Sequence, residues 1–272
     1  MSILLTECSF LSTAKREDNG THAELTTEQP QASLGFHPKA GTYEVTEVTE
    51  MTGTRVRQWT ASSRVECVEI MPQSDFAFVP GHVVTLAAGA ADPGYFAIGS
   101  APSEGPALRF YLRPGGTAAD SVLAAADGEA VRIAGPIAHG FPLESVVGRD
   151  LLFIGVGTGV APLRSALVEA LVDRERFGRL VLVMGATDPA ALCCTEEFGA
   201  WREAGVEVIA TVDQADAAWT GATGFVQDQL EDLNLDPSQT MAHVAGMRAM
   251  EEAVREQLSA LGFSAEDVRA NY

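Results

Sequence analysis

Residues 151–162 constrain the fold of this chain more than any other stretch. Four apolar residues (151–154) run into Gly155-Val156-Gly157-Thr158-Gly159-Val160-Ala161-Pro162, and a helical pattern begins at Leu163. A buried strand that feeds glycines and then a helix brings backbone amides against a pyrophosphate. The spacing Gly-x-Gly-x-Gly followed by Ala-Pro departs from the usual dinucleotide fingerprint Gly-x-Gly-x-x-Gly, so the motif must be interpreted together with its neighbours.

The second half of the chain alternates apolar strands with helices, which favours a parallel sheet covered on both faces. We predict strands at 151–154, 180–184, 206–211 and 241–245, and helices at 163–177, 195–204, 224–230 and 248–261. Ligands of such sheets bind at the carboxyl ends of the strands. The glycine stretch and three further segments fall at those ends: 185–187, 212–216 and 246–247.

The region from about residue 42 to 140 has a different rhythm, with short β-branched or alternating runs punctuated by Gly and Pro. Strands are predicted at 43–48, 64–70, 83–86, 108–112 and 130–133, with one helix at 118–126. An antiparallel barrel is the expected arrangement, because closure removes exposed edges. We therefore expect a polar N-terminal arm (1–40), a β-barrel domain (41–147) and a Rossmann-like α/β domain (148–272).

The amino-acid composition excludes several kinds of binding partner. With 18 basic and 37 acidic residues, the formal net charge of −19 opposes binding to nucleic acid and to anionic membranes. No apolar run approaches the roughly 20 residues that span a bilayer, so we expect no membrane insertion. The four cysteines form no Cys-x-x-Cys pair, and no metal site is predicted. The first 40 residues lack the features of a secretory signal, which indicates a cytoplasmic protein and leaves organellar import open.

The order of motifs resembles the ferredoxin–NADP reductase-like superfamily of flavin- and pyridine-nucleotide-dependent electron transferases. Residues 80–86 (PGHVVTL), 94–100 (GYFAIGS), Gly115-Gly116-Thr117 and Gly135-Pro136 are similar to its barrel and flavin-binding motifs. Residues 155–162 look like its nucleotide loop, 219–226 resembles a segment before its fourth core strand, and Asn271-Tyr272 resembles its aromatic C-terminus. The sequence looks most like the branch that includes plant fruit-ripening-associated oxidoreductase-like proteins.

The chain also departs from the family at groups that carry chemistry. Where the family's flavin strand has Arg-x-Tyr-Ser, this chain has Gly94, Phe96 and Ala97. Phe96 retains a ring face that can stack on a flavin. Amides at 117–119, with Arg109 or Arg113, are the expected substitutes for the missing phosphate charge. Ala245 stands where relatives place a cysteine beside the nicotinamide.

The resemblance also bears on which nucleotide binds. NADP-specific relatives hold the 2′-phosphate with a Ser-Arg pair and other cations near the ends of the second and third strands, whereas this chain has Thr187-Asp188 and Asp213 there. Carboxylates repel a phosphate dianion, and Asp213 is suited to accept a hydrogen bond from a ribose hydroxyl. We therefore expect NAD(H) rather than NADP(H), together with FAD.

The resemblance implies a flavin-dependent oxidoreductase that transfers hydride or electrons between NAD(P)H and an unidentified external acceptor, with a redox protein as one candidate. Phe96, Thr158 and Tyr272 are expected nearest the reacting rings. The expected cofactor-binding residues are Tyr95, Phe96, Ala97, Ile98, Gly99, Ser100, Gly115, Gly116, Thr117, Ala118, Gly155, Gly157, Thr158, Gly159, Ala161, Pro162, Gly185, Asp213, Gly246, Met247 and Tyr272.

Two other functions stay open at this point. Gly94, Ala97 and Ala245 replace three chemical groups of the family, which is what a non-catalytic nucleotide-binding module would show. The acidic surface and the polar arm fit an electron-transfer subunit of a larger complex. The histidines suggest no acid–base site, because His82, His139 and His243 fall on or beside predicted strands and structural roles are expected for them.

Overall fold

The structure is a computed structural model and describes residues 48–271. Within this range the chain forms two six-stranded sheets, one after the other in sequence. The polar arm, the strand predicted at 43–48 except for its last residue, and Tyr272 lie outside the described residues.

The first sheet is antiparallel and has the strand order β4-β3-β6-β1-β2-β5. Its two edges are joined beyond β4, where the Gly99 amide donates to the Arg109 carbonyl over 2.7 Å, so the sheet nearly closes into a barrel. The predicted barrel is thus confirmed. Its elements are β1 (Thr49–Ser62), β2 (Val65–Pro72), β3 (Val83–Ala88), β4 (Gly94–Ala97), β5 (Leu108–Leu112), helix α1 (Thr117–Ala124) and β6 (Ala130–Ile137).

The long strand β1 was not predicted from its sequence. It carries Thr, Arg, Gln and Trp with only two buried residues, Gly53 and Ala61, and it therefore lacks a hydrophobic alternation. Main-chain pairing with β2 on one side and β6 on the other holds it in the sheet. Two register shifts, between Arg55 and Arg57 and between Thr60 and Ser62, also interrupt the two-residue period that a sequence pattern relies on.

The second sheet is parallel throughout, with the order β10-β9-β8-β7-β11-β12. This confirms the predicted α/β arrangement. Its elements are β7 (Asp150–Val156), α2 (Val160–Val172), β8 (Leu180–Ala186), α3 (Phe198–Glu203), β9 (Val206–Val212), β10 (Ala222–Thr223), β11 (Thr240–Ala245), α4 (Arg248–Ala260) and β12 (Val268–Ala270).

Several predicted helix boundaries were wrong. Helix α2 begins three residues earlier than predicted, because Pro162 lies in its first turn, where a missing N–H is tolerated. It ends at Val172, since Asp173 leaves the helical region. The helix predicted at 224–230 is a short 3₁₀ turn, Val226–Gln229, and α3 covers only part of 195–204. The short strands β10 and β12 are additional to the four predicted strands.

Three apolar clusters hold these layers together. One fills the barrel and includes Phe110, Ile133 and residues of α1. A second joins barrel residues such as Tyr111 and Phe141 to one face of the parallel sheet, so the two sheets share a core. The third covers the opposite face of the parallel sheet with α4. Between residues 48 and 271 no helix has the length and apolar character needed to cross a bilayer.

Candidate functional site

A cavity of about 640 Å³ lies between the barrel and the carboxyl ends of the parallel strands. Strand β4 contributes Tyr95, Phe96 and Ala97 to its wall. The turn after β7 contributes Gly157, Thr158 and Gly159. The sequence motif assigned to flavin and the one assigned to the nucleotide therefore face the same space, although they are about 60 residues apart in the chain.

The glycine turn is shaped by close backbone contacts. Gly157 has φ +54° and open space around its missing side chain, so its backbone conformation is what requires glycine. A Cβ on Gly155 would lie 2.5 Å from Leu163 and 2.8 Å from the carbonyl oxygen of Ala245. At Gly159 a Cβ would overlap that same carbonyl. The turn therefore packs closely against the end of β11 and leads directly into the amino end of α2, where an anion is stabilised.

The first turn of α2 also packs directly on the barrel. Gly81, with φ +78°, brings the barrel within van der Waals reach of Pro162, and Gly99 does the same for Ala161. Ser165 reinforces this contact by donating from its hydroxyl to the Ser100 carbonyl over 2.7 Å. The nucleotide turn and the barrel are held at a fixed distance as a result.

On the barrel side, β4 has no space for the family's arginine. A Cβ on Gly94 would lie 2.7 Å from the Cβ of Ala118 in α1, and 3.3 Å from the Phe96 ring. Helix α1 occupies the volume that a side chain at position 94 would need. Phe96 is half-buried against the barrel core and still reaches the cavity wall.

Of the two arginines proposed as phosphate partners, only one lines the cavity. Arg113 is exposed at the cavity wall and forms no ion pair with any of residues 48–271. Arg109 is turned away into contacts with Glu69 at 3.1 Å, Glu197 at 3.7 Å and Glu104 at 3.9 Å. Of the two arginines, Arg113 is thus the one placed to contact a flavin pyrophosphate in the cavity.

A buried ion-pair cluster joins the barrel to the parallel sheet behind the cavity. Arg164 of α2, with only 3% of its side chain exposed, contacts Glu104 at 2.6 Å and Glu197 at 2.7 Å. It also donates to the Gly99 carbonyl over 2.8 Å. Burial favours the neutral form of Glu104, but the guanidinium of Arg164 outweighs this and the pKa of Glu104 falls below its usual value. Arg164 therefore connects the strand end after β4 to the nucleotide-binding layer.

The far end of the cavity, at the carboxyl ends of β8 and β9, combines both signs of charge. Asp213, Thr187 and Arg64 all line it. Arg64 comes from the turn between β1 and β2 and forms a 3.1 Å ion pair with Asp188. Asp213 therefore lies on the cavity wall, and Asp188 lies beside it through Arg64, an arginine of the barrel that the sequence did not indicate.

The end of the described chain closes one side of the cavity. Asn271 is buried beside it and donates from its side-chain amide to the Gly81 carbonyl over 3.1 Å. The Gly140 amide donates to the Asn271 carbonyl over 3.3 Å. These bonds anchor the residue that precedes Tyr272 to the barrel.

The structure brings twelve of the predicted cofactor-binding residues to the cavity wall: Tyr95, Phe96, Ala97, Gly157, Thr158, Gly159, Ala161, Pro162, Gly185, Asp213, Gly246 and Met247. Eight others lie outside the wall. These are Ile98, Gly99 and Ser100, which continue from β4 into the packed interface, Gly115, Gly116, Thr117 and Ala118 at the start of α1, and Gly155 beneath the turn.

Sequence reasoning missed many further wall residues, among them Arg64, Tyr111, Phe225 and Gln227. Phe225 had a usable signal, since it is an aromatic residue that follows a glycine at the end of the parallel sheet. Arg64 had none, because it reaches the site from the barrel. Tyr111 is buried, and its hydroxyl oxygen lies 3.1 Å from the Cys194 sulfur, which packs in the shared core.

Among the described residues, His243 and the three cysteines are buried, whereas His82 is half-buried and His139 is exposed. Burial lowers the pKa of His82, and that of His243 to about 3, so His243 is neutral at physiological pH. Burial also raises the pKa of the Cys67, Cys193 and Cys194 thiols. Within residues 48–271, no three His, Cys, Asp or Glu side chains are grouped so that they could hold a metal ion.

Known proteins with similar sequences are oxidoreductases or subunits of electron-transfer enzymes, by the names they carry. Residues 153–256 match the family model of the oxidoreductase NAD-binding domain. The chain is 28% identical over 197 residues to the sulfhydrogenase 1 subunit gamma of Pyrococcus furiosus, covering 71% of this chain and 67% of that protein. It is 32% identical over 133 residues to the electron transfer subunit of dihydroorotate dehydrogenase B (NAD(+)) of Bacillus cereus, and spans about half of that subunit's length (48% of each chain).

Solved structures share the same fold. A ferredoxin NADP+ reductase from Neisseria gonorrhoeae with bound FAD and NADP superposes with a TM-score of 0.71 at 17% identity, over 83% of this chain and 98% of that one. An Amycolatopsis cytochrome P450 reductase gives a TM-score of 0.74 at 22% identity, over 82% of this chain and 69% of that one. At these identities the likeness concerns the architecture of barrel and parallel sheet.

Proposed function

We propose that the chain is a reductase of the ferredoxin–NADP reductase-like superfamily. In this proposal it binds FAD along its barrel and a pyridine nucleotide along its parallel sheet, and passes electrons to an external acceptor. One observation carries this proposal. Strand β4 and the glycine turn form two walls of a single cavity, so a ring stacked on Phe96 and a nucleotide held by Gly157 to Gly159 would meet in it.

The residues present fit both groups. The glycine turn and the amino end of α2 suit a nucleotide pyrophosphate. Arg113 and the start of α1 suit the phosphates of FAD, and Phe96 offers a ring face. When bound, FAD supplies the two-electron chemistry that takes hydride from a nicotinamide. The chain's own contribution is to hold the two rings together, and the packing of α2 on the barrel fixes their separation.

Thr158 is the turn residue whose side chain we place nearest the reacting rings, since it lies between the two glycines on the cavity wall. Ala245 supplies no thiol there, and its carbonyl instead packs against Gly155 and Gly159. We also propose that Tyr272 covers the flavin ring, because Asn271 is anchored to the barrel at the cavity wall. Removing Tyr272 would then change the flavin spectrum and leave NAD(H) binding intact.

We propose NAD(H) as the preferred nucleotide. Asp213 lines the cavity at the end of β9, where it can accept a hydrogen bond from a ribose hydroxyl and would repel a 2′-phosphate. Asp188 adds a second carboxylate close by. The electron transfer subunit of dihydroorotate dehydrogenase B, whose name specifies NAD(+), is consistent with this preference.

The decisive experiment is a visible absorption spectrum of the purified protein, after titration with FAD, before and after anaerobic NADH or NADPH. Flavin absorbance that bleaches with NADH is the expected result. Arg113→Gln should weaken FAD binding, and Arg132→Gln, a barrel arginine outside the cavity wall, is the matched control. If the protein binds neither FAD nor FMN at any concentration tested, the proposal is wrong.

A subunit of a larger electron-transfer assembly is the second candidate, and two of the relatives above carry the word subunit in their names. It predicts NADH-dependent flavin bleaching with little activity toward small soluble acceptors. A non-catalytic nucleotide-binding module, suggested by Gly94, Ala97 and Ala245, predicts NAD(H) binding without any bleaching.

A further inference from the structure

The turn between β1 and β2 docks on the loop that follows β8. The Ser63 amide donates to the Ala190 carbonyl over 2.8 Å, which fixes the tip of the turn on the parallel-sheet layer. The next residue, Arg64, then extends to that loop: its Nη2 donates to Asp188 Oδ2 over 3.1 Å and its Nη1 to Thr187 Oγ1 over 3.5 Å. A barrel residue thereby delivers a guanidinium to the nucleotide half of the cavity.

Asp188 is held in place independently of Arg64. Its Oδ1 accepts the Ala191 amide over 3.1 Å at the start of the 3₁₀ turn Pro189–Ala191. One carboxylate oxygen thus caps the turn, and the other faces Arg64. The carboxylate is oriented before any ligand arrives.

The ion pair lies at the rim of the cavity and is open to competition. The side chains of Arg64 and Asp188 are 47% and 33% exposed, and ion pairs with such exposure contribute little to stability. A phosphate dianion would form a stronger, two-point contact with the same guanidinium. Asp213 lines the same end of the cavity and adds negative charge.

We propose that Asp188 and Arg64 are specificity-determining residues for the nucleotide: Asp188 pairs with Arg64 and so withholds its guanidinium from a phosphate on the adenosine ribose. The inference rests on the proposed function. The inference adds that two residues from different layers determine the nucleotide preference: Arg64 of the barrel and Asp188 of the parallel-sheet layer. Removing the Asp188 charge converts Arg64 from a paired residue into a phosphate-binding one.

The test measures dissociation constants of NAD+ and NADP+, which differ only in the 2′-phosphate, by titration calorimetry on the full chain. In Asp188→Asn the side-chain oxygen can still accept from the Ala191 amide, so the turn is kept. We expect this variant to bind NADP+ about tenfold more tightly than the wild type, because a charge-assisted hydrogen bond becomes available. NAD+ affinity should change by less than about twofold, since NAD+ carries no such phosphate.

The double variant Asp188→Asn/Arg64→Ala should lose the gain for NADP+. Arg57→Ala and Asp127→Asn are matched controls, since both residues are the exposed members of ion pairs outside the cavity wall. If Asp188→Asn leaves the NADP+ affinity unchanged, or if the double variant keeps the gain, the inference is wrong while NAD+ binding still supports the proposed function. If the wild type binds neither nucleotide, both are wrong.

Discussion

Gly159 lies directly beneath the Ala245 carbonyl: a Cβ at position 159 would be 2.7 Å from that carbonyl's carbon atom and 3.0 Å from the Gly246 nitrogen. The contact joins the turn after β7 to the end of β11. Since the obstructing atoms are backbone, no side-chain rotation can relieve it. The position of the turn amides, and hence of any pyrophosphate bound to them, depends on this approach.

Gly159→Ala should therefore destabilise the protein and impair nucleotide binding together. We expect the free energy of unfolding to fall by about 2 kcal/mol, typical of overpacking, and NADH affinity to fall on the order of tenfold. Denaturant unfolding and NADH titration are the measurements. Gly199→Ala is the control, because a Cβ at that position of α3 meets no atom within 4 Å and should leave both quantities unchanged or raise stability. Normal NADH binding by Gly159→Ala would contradict the role given to the turn.

Restoring the family's arginine at position 94 should weaken flavin binding. Ala118 occupies the necessary space, so Gly94→Arg must displace α1, whose amino end is itself part of the proposed phosphate site. We expect Gly94→Arg to lower both the melting temperature and the FAD affinity. Gly94→Ala should be milder, and Gly94→Ala/Ala118→Gly should recover most of the lost stability, because the second change removes the opposing methyl group. Tighter FAD binding by Gly94→Arg would show that α1 moves freely.

The sequence predicted the architecture because its periodic signals are strong. The strands β7, β8 and β11 are almost entirely buried and apolar, and glycines mark the ends of β7 and β8. It predicted β1 poorly, since that strand is held by main-chain pairing on both sides while most of its side chains stay polar. A hydrophobic pattern alone does not predict a strand that is held by main-chain pairing.

The residues of the candidate site likewise fall into those that the sequence predicted and those that it did not. Residues of the glycine turn follow from a local motif, and their placement on the cavity wall needed no long-range information. Arg64 and Tyr111 reach the cavity through the docking of one sheet on the other, which is set by packing between residues distant in sequence. The choice between Arg109 and Arg113 likewise depended on where Glu69, Glu104 and Glu197 fall in space.

Substituting Arg164 should lower the free energy of unfolding strongly. Arg164→Met leaves the carboxylates of Glu104 and Glu197 partly buried without their partner, and breaking a buried pair in this way costs about 3–5 kcal/mol. Adding Glu104→Gln and Glu197→Gln should recover much of the loss, because the uncompensated charges are removed. Urea unfolding provides the comparison. Arg57→Met removes an exposed guanidinium from Glu69, which keeps its ion pair with Arg109, so stability should change by less than about 1 kcal/mol. A loss in Arg164→Met as small as in this control would argue against the cluster.

His243 should make the protein less stable in acid. It lies fully buried in β11 between the rings of Phe141 and Phe153, and neither ring nitrogen has a hydrogen-bond partner among residues 48–271. Burial, assisted by Arg269 and Arg149, lowers its pKa from 6.5 to about 3. Between these values the unfolded chain binds the proton and the folded chain does not, so stability falls as the pH drops from about 6.5 towards 3.

At pH 5 this single group should reduce the free energy of unfolding by about 2 kcal/mol relative to neutral pH. His243→Leu removes the titrating group and the two unpaired nitrogens, so we expect equal or higher stability at pH 7 and a smaller loss on going to pH 5. Urea denaturation of both proteins at the two pH values gives the difference, and His82, whose pKa is also lowered, contributes equally to both. An identical loss in the variant would mean that His243 is protonated, or hydrogen-bonded, in the folded protein.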